Sequence, residues 1–363
     1  MVRGAVMHNF MEPLKVESLK LKPLREGEIA VKMVASGVCH SDLSVVQAKL
    51  PVPPPVVLGH EGAGIVQEVG KGVTDLKPGD HVVLAWVANC GKCHYCANER
   101  THLCEQAIQS AMMGQEAVFE MGGVDVSRMA GVGSFADHTI VRATSAIKIR
   151  EDVPLEVACL VGCGVMTGVG AAINTAKVRP GQTVAVFGCG GVGLNVIQGA
   201  ALSGASRIIA VDLAPSKLKL AQQFGATDIV NAKDNPDAPS AIKELTDGHG
   251  VDYAFEVVGT GALIQQAYLS LKRGGAVVCV GVVPMGTSVE IPGMMLSLEE
   301  KSLLGCLYGS ANVRRDMPLL LDLYMQKRLK IDELVSKKIK LDDVNGAFEA
   351  MEKGEVARSV IVY

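Results

Sequence analysis

The chain has 363 residues, 48% of them hydrophobic and 20% charged, which supports buried cores in two domains and excludes a disordered chain. A net charge of -3 without a dense Lys/Arg block gives no electrostatic support to nucleic-acid or anionic-membrane binding. Residues 1–7 lack a signal-peptide pattern and no apolar run could span a bilayer, while ten cysteines, four of them clustered, suit a reducing compartment, so a cytoplasmic location is expected.

The first part of the chain reads as β-rich. The runs at 28–35, 64–69 and 80–86 alternate or stay apolar between Gly and Pro breaks, and residues 51–55 form a rigid proline-rich loop. Cys39-His40-Ser41-Asp42 follows the first run, and Gly59-His60-Glu61 follows the loop. Further along, Cys163 stands between Gly162 and Gly164. Two thiolates and an imidazole would give Zn²⁺ three protein ligands and leave a fourth position open, the form of a catalytic site. Asp42 and Glu61 are then candidates to orient the histidine and tune the metal. Taken singly, each also reads as a core thiol or a satisfied polar group.

Next comes the run Cys90, Cys93, Cys96 and, after a gap, Cys104. Four thiolates at this spacing can wrap a tetrahedral Zn²⁺ and leave no open position, which makes such a site structural. A disulfide pair, a redox C-x-x-C and unpartnered buried thiols are the competing readings. Beyond Cys104, Met112, Met113, Val118, Phe119 and Met121 are expected to line a substrate entrance or pack an interface.

From about Thr183 strands and helices alternate. Strands are predicted at 183–188, 207–212, 251–258 and 275–281, with helices at 191–204, 215–224 and 261–272, the pattern of a parallel sheet with right-handed crossovers. Gly188, Gly190 and Gly193 follow the first strand and open the first helix. In such a turn the first glycine permits the tight bend, the second lets a pyrophosphate approach and the third packs helix on strand. Asp212 ends the next strand, where a carboxylate can accept both ribose hydroxyls and repel a 2′-phosphate, favouring NAD over NADP. A turn serving only chain reversal, with Asp212 as a helix cap, is the alternative.

These motifs occur in the order seen in zinc-dependent alcohol dehydrogenases, and over essentially its whole length the chain resembles a medium-chain dehydrogenase of the two-zinc type. The resemblance implies an α/β protein. A GroES-like β-rich catalytic domain would comprise 1–165 and 306–363, and a Rossmann domain with a doubly wound parallel sheet would comprise 166–305. It implies two zinc ions per chain, a catalytic one on Cys39, His60 and Cys163 and a structural one on Cys90, Cys93, Cys96 and Cys104. Cys163 as third ligand is closer to alcohol than to polyol dehydrogenases, where that position is typically Glu. Ser41 would hydrogen-bond the substrate oxygen, with Asp42 and Glu61 behind the ligands. NAD would be held by Gly188, Gly190, Gly191, Val192 and Gly193 in the turn, by His40 and Arg358 at the pyrophosphate, Thr167 at the nicotinamide, Lys217 beside Asp212 at the adenosine ribose, and by Val282. A homodimer pairing its sheets edge to edge around 302–308 is implied, with a tetramer as the other possibility.

The implied activity is hydride transfer between a primary alcohol and NAD, with Ser41 taking the proton. Three features depart from the family. Ser44 stands where many relatives carry the outer histidine of a proton relay. Trp86 occupies a position that lines the inner substrate pocket, and a bulky indole there favours primary over secondary alcohols, unless Trp86 is simply core. Residues 105–111 contain no Arg, which weakens a glutathione-adduct formaldehyde dehydrogenase, although 162–174 also resembles bacterial relatives that use other thiol cofactors such as mycothiol. A non-catalytic dinucleotide sensor is the rival from another class, but sensing needs neither zinc ligands nor Ser41.

Overall fold

The computed structural model describes residues 1–112, 117–354 and 357–363, apart from the side chains of Ala111 and Met112. The chain forms two compact units, Met1–Cys163 with Asn312–Tyr363, and Gly164–Ala311. The breaks therefore fall at 163 and 311, against the 165 and 305 expected, because the turn Tyr308–Ser310 packs on the helix Gly164–Gly170.

The first unit holds two β systems. A closed barrel runs through Val2–Met7, Lys15–Leu21, Phe119–Met121, Val124–Arg128 and Val56–Val57, filled by Leu19, Val57, Phe119 and Phe135. The second system is a mixed sheet built on the long strand Glu28–Val38. Along that strand Ile29, Val31, Met33 and Ala35 are fully buried while Lys32 faces out, the period of two that a half-covered strand requires. Glu61–Val69 pairs with it on one side and Arg358–Val362 on the other. The register sets Gly37 opposite Glu61 and Val38 opposite Ser359, which gathers Cys39, Glu61 and Arg358 at one end of the sheet.

One expectation fails in the barrel. Val118 and Phe119 are fully buried core residues and line no entrance, while Met121 is partly buried and packs against the same cluster. The cause is pairing: Phe119–Met121 hydrogen-bonds to Lys15–Leu21, and Phe119 points into the barrel. Met113 and the side chain of Met112 lie outside the described residues.

The second unit is a six-stranded parallel sheet in the order Asp228–Asn231, Arg207–Asp212, Thr183–Phe187, Val251–Glu256, Leu271–Cys279 and Ser302–Gly305. Strands buried on both faces lose alternation, as the fully buried Val184, Ala185 and Val186 illustrate. Strand order reverses between Thr183–Phe187 and Val251–Glu256, which opens a crevice at their carboxyl ends. Among the described residues no single helix is long and apolar enough to cross a membrane.

Candidate active site

Four potential metal ligands, Cys39, His60, Glu61 and Cys163, converge in the first unit, with one ligand atom of each within 4.8 Å of all the others. Cys39 caps the helix His40–Val46, and its N–H donates to Asp42 Oδ2 at 2.9 Å. Asp42 is fully buried, and its other oxygen accepts from Gly59 N–H at 3.1 Å and from His60 Nδ1 at 2.9 Å. The carboxylate thus fixes both the turn that carries His60 and the ring itself, leaving Nε2 as the free nitrogen. Nε2 is buried and makes no hydrogen bond among the described residues. An orphaned imidazole nitrogen beside two thiols is costly in a protein interior unless a cation completes it, so the donor set fits zinc.

Zinc would take the neutral ring and both thiolates, whereas without it the charge of the site is divided among its own groups. Burial opposes a charge on His60, but Asp42 and then Cys163 push its pKa well above the usual range. The two thiols are driven apart: the hydrogen bond from Cys163 holds Cys39 well below the ordinary thiol range, while the hydrogen bond to Cys39 and burial drive Cys163 up. Burial pushes Glu61 up to about 7, opposed by Arg358. Arg358 is itself buried and its guanidinium is bound to Glu61. The sequence reading set Glu61 behind the ligands, whereas one of its oxygens lies within ligand reach; no residue pattern near Glu61 reveals this. It depends on Gly37, where an added Cβ would stand 2.1 Å from Glu61 Oε2. Ser41 Oγ is 3.9 Å from Cys39 Sγ, and His40 is exposed at the start of the same helix.

Cys90, Cys93, Cys96 and Cys104 form the second constellation, again within 4.8 Å of one another. All are free thiols, with Cys90 and Cys96 sulfurs 4.0 Å apart, which removes the disulfide reading. Backbone N–H groups aim at the sulfurs: Cys90 N–H reaches Cys104 Sγ and Cys93 N–H reaches Cys90 Sγ, both at 3.3 Å. The N–H groups of Cys96 and then Glu105 bring Cys93 down to about 6. Such donors prepare thiolates for a cation.

In the second unit, Gly188 leaves the strand Thr183–Phe187 at φ +100°, and Gly190 caps the helix Gly191–Leu202. A Cβ on Gly193 would fall 1.9 Å from the Gly188 carbonyl oxygen, whereas one on Gly190 would meet nothing within 4 Å. The third glycine is therefore needed for packing, while the second faces open space that a ligand backbone can enter. Asp212 ends its strand and accepts from Cys189 N–H at 2.8 Å and Ala214 N–H at 3.0 Å, which ties the acid to the turn. Lys217 lies one turn into the next helix, close enough to act on the same Cys189 as Asp212. Thr167 is partly exposed on Gly164–Gly170, Val192 lies in the first turn after Gly190, and Val282 is 72% exposed next to Gly259. Trp86, partly buried, packs on the apolar cluster of the mixed sheet that contains Ile29, Val66 and Leu84.

Residues 25–151 match the alcohol dehydrogenase GroES-like domain and residues 191–326 match the zinc-binding dehydrogenase domain. The chain is 40% identical, over 99% of its length and 98% of the relative's, to an NDMA-dependent alcohol dehydrogenase of Amycolatopsis methanolica. Its structure superposes with a TM-score of 0.95 on an alcohol dehydrogenase zinc-binding domain protein from Burkholderia ambifaria, at 36% identity, covering 99% of this chain and 98% of the other. A benzyl alcohol dehydrogenase from Acinetobacter calcoaceticus gives a TM-score of 0.93 at 36% identity, with 99% of both chains covered. The motifs, the folds of both units and these likenesses agree: the chain belongs to the zinc-dependent medium-chain alcohol dehydrogenases.

Proposed function

We propose that the protein interconverts a primary alcohol and its aldehyde by hydride exchange with NAD, using one zinc at Cys39, His60 and Cys163 and a second in the four-cysteine lobe. The observation that carries this reading is the buried Nε2 of His60, without a hydrogen bond, on a ring set beside two thiols. When bound, zinc would acidify an alcohol or polarise an aldehyde, and NAD would carry the hydride. Ser41, near Cys39, is the hydroxyl for the substrate proton. Asp42 keeps His60 in one tautomer, and Arg358 balances the charge of Glu61 beside the thiols. Asp212 favours ribose hydroxyls over a 2′-phosphate, hence NAD over NADP. The family resemblance assigns Trp86 to the inner substrate pocket, where it would favour primary alcohols, and its packing on the mixed-sheet cluster supports core filling as its other role.

The edge strand Ser302–Gly305 supports a homodimer paired through that edge, since an open edge with an apolar side chain such as Leu303, 39% exposed, calls for a partner. Ten free cysteines support a cytoplasmic location. The Acinetobacter relative acts on benzyl alcohol by name, so aromatic primary alcohols head the substrate panel. The Amycolatopsis relative favours a second reading, in which NDMA rather than added NAD sustains turnover.

The deciding assay combines benzyl alcohol, a primary aliphatic alcohol and its secondary isomer with NAD, NADP or NDMA, and tests formaldehyde with glutathione or mycothiol. Turnover with NAD on primary alcohols, together with two zinc ions per chain, is expected. Turnover only with NDMA selects the second reading, and turnover only with a thiol adduct replaces the substrate assignment. Equal rates on the primary and secondary isomers would remove Trp86 from the specificity argument.

A further inference from the structure

The carboxyl edge of the parallel sheet holds the glycine turn, but its opposite edge is also shaped. At the amino ends of Thr183–Phe187, Arg207–Asp212, Val251–Glu256 and Leu271–Cys279 lies a cavity of about 750 Å³, within the range of small-molecule sites. Its walls carry Arg207, Lys243, Lys272, Arg273 and Lys301 against Asp247, Asp252 and Glu299, an excess of two positive charges. The pairings inside it are uneven. Asp252 accepts from the N–H and Oγ1 of Thr183, both at 2.9 Å, and binds Lys272 at 2.5 Å. Glu299 binds Lys301 at 2.8 Å, and Arg207 is engaged by the Leu245 carbonyl. Lys243 and Arg273 have no carboxylate within ion-pair distance among the described residues, and Arg273 is exposed.

Lys301 is paired with Glu299 at 2.8 Å, and Arg273 and Lys243 line the same cavity. Lys301 is the fixed member: its side chain is 2% exposed, and its ammonium lies 5.6 Å from the centre of the Tyr268 ring. A cavity with an excess of cations, two of them without a carboxylate partner among the described residues, suits a dianion. We propose that this cavity binds a phosphoryl dianion, as inorganic phosphate or a small phosphomonoester, with Arg273 and Lys243 contacting its oxygens and Lys301 as the fixed cation at its base. Arg273 supplies the forked donor geometry that phosphate oxygens accept. The five-residue strand Thr183–Phe187 separates this site from the glycine turn by about 16 Å at roughly 3.3 Å per residue, so a phosphate here does not occupy the glycine turn.

Calorimetric titration of the full-length, zinc-loaded protein at fixed ionic strength tests the assignment, with inorganic phosphate, glycerol 3-phosphate and succinate as probes and saturating NAD present to fill the glycine turn. One saturable phosphate site is expected, weakened about tenfold or more in Lys243→Gln/Arg273→Gln and largely kept in Arg273→Lys. NAD affinity and zinc content should be unchanged in both variants. Tighter binding of glycerol 3-phosphate than of inorganic phosphate identifies an ester as the ligand, and the reverse order identifies the free ion. Absence of saturable binding, equal binding by the double variant, or succinate binding as tightly as phosphate would each overturn the proposal.

Discussion

The two metal constellations of the first unit are built in opposite ways. Cys90, Cys93, Cys96 and Cys104 come from one stretch of chain, bear identical donors, and are prepared by N–H groups of their own turns. Three of the four are only partly buried. Cys39, His60 and Cys163 come from distant segments, mix sulfur with nitrogen, and depend on a buried aspartate for their geometry. A local cluster can do little more than staple the lobe that carries it. A set assembled from several elements can be aimed, because each element fixes one donor relative to the others. Placement on the scaffold, more than the identity of the donors, separates a staple from a reactive centre.

That contrast can be broken most directly at the dispersed set. Cys39→Ala or His60→Ala should lower kcat/KM by about 10³-fold or more, since several kcal/mol of charge stabilisation are lost, while metal analysis falls from two zinc ions to one and the fold persists by circular dichroism. Full activity with one zinc would exchange the roles of the two constellations. Asp42→Asn should cost roughly 10–100-fold in metal affinity or activity, because His60 loses the acceptor that orients it. Zinc retention under a competing chelator reads that loss apart from misfolding.

At the lobe the expected effect is on stability. Cys93→Ala should release one zinc and lower the unfolding midpoint by roughly 5–10 °C, corresponding to about 2–3 kcal/mol, with kcat nearly unchanged in the remaining folded enzyme. A collapse of kcat at full stability would show that the lobe does more than staple. The smallest effect belongs to the proton route. With Ser44 in place of a relay histidine, added imidazole or Ser44→His should raise the rate by a few-fold at low pH, where removal of the substrate proton limits turnover. A flat response in the pH–rate profile means that water already serves as the relay.

Legibility in the sequence follows the same division. The cysteine run and the Gly188–Gly193 turn can be read directly because their chemistry is contiguous, and the space around Gly190 and Gly193 matches the separate duties assigned to them. Cys39, His60 and Cys163 carry no local signal strong enough to join them, and only resemblance brings them together. The ligand-range position of Glu61 is invisible in sequence because it rests on the cross-strand pairing of Gly37 with Glu61. Val118 and Phe119 mislead for a related reason, since hydrophobicity alone does not tell an entrance from a barrel core. Asp228–Asn231 goes unpredicted because four residues are too few to establish a period.

The strand Arg358–Val362 pairs with Glu28–Val38 at the end where Cys39 and Glu61 meet, and Arg358 there binds Glu61. Residues 164–311 are complete long before that strand is made, so on a translating ribosome this unit is free to fold while the metal site still lacks one wall. A chain stalled before Arg358 would carry the residues of the second unit without the guanidinium that binds Glu61.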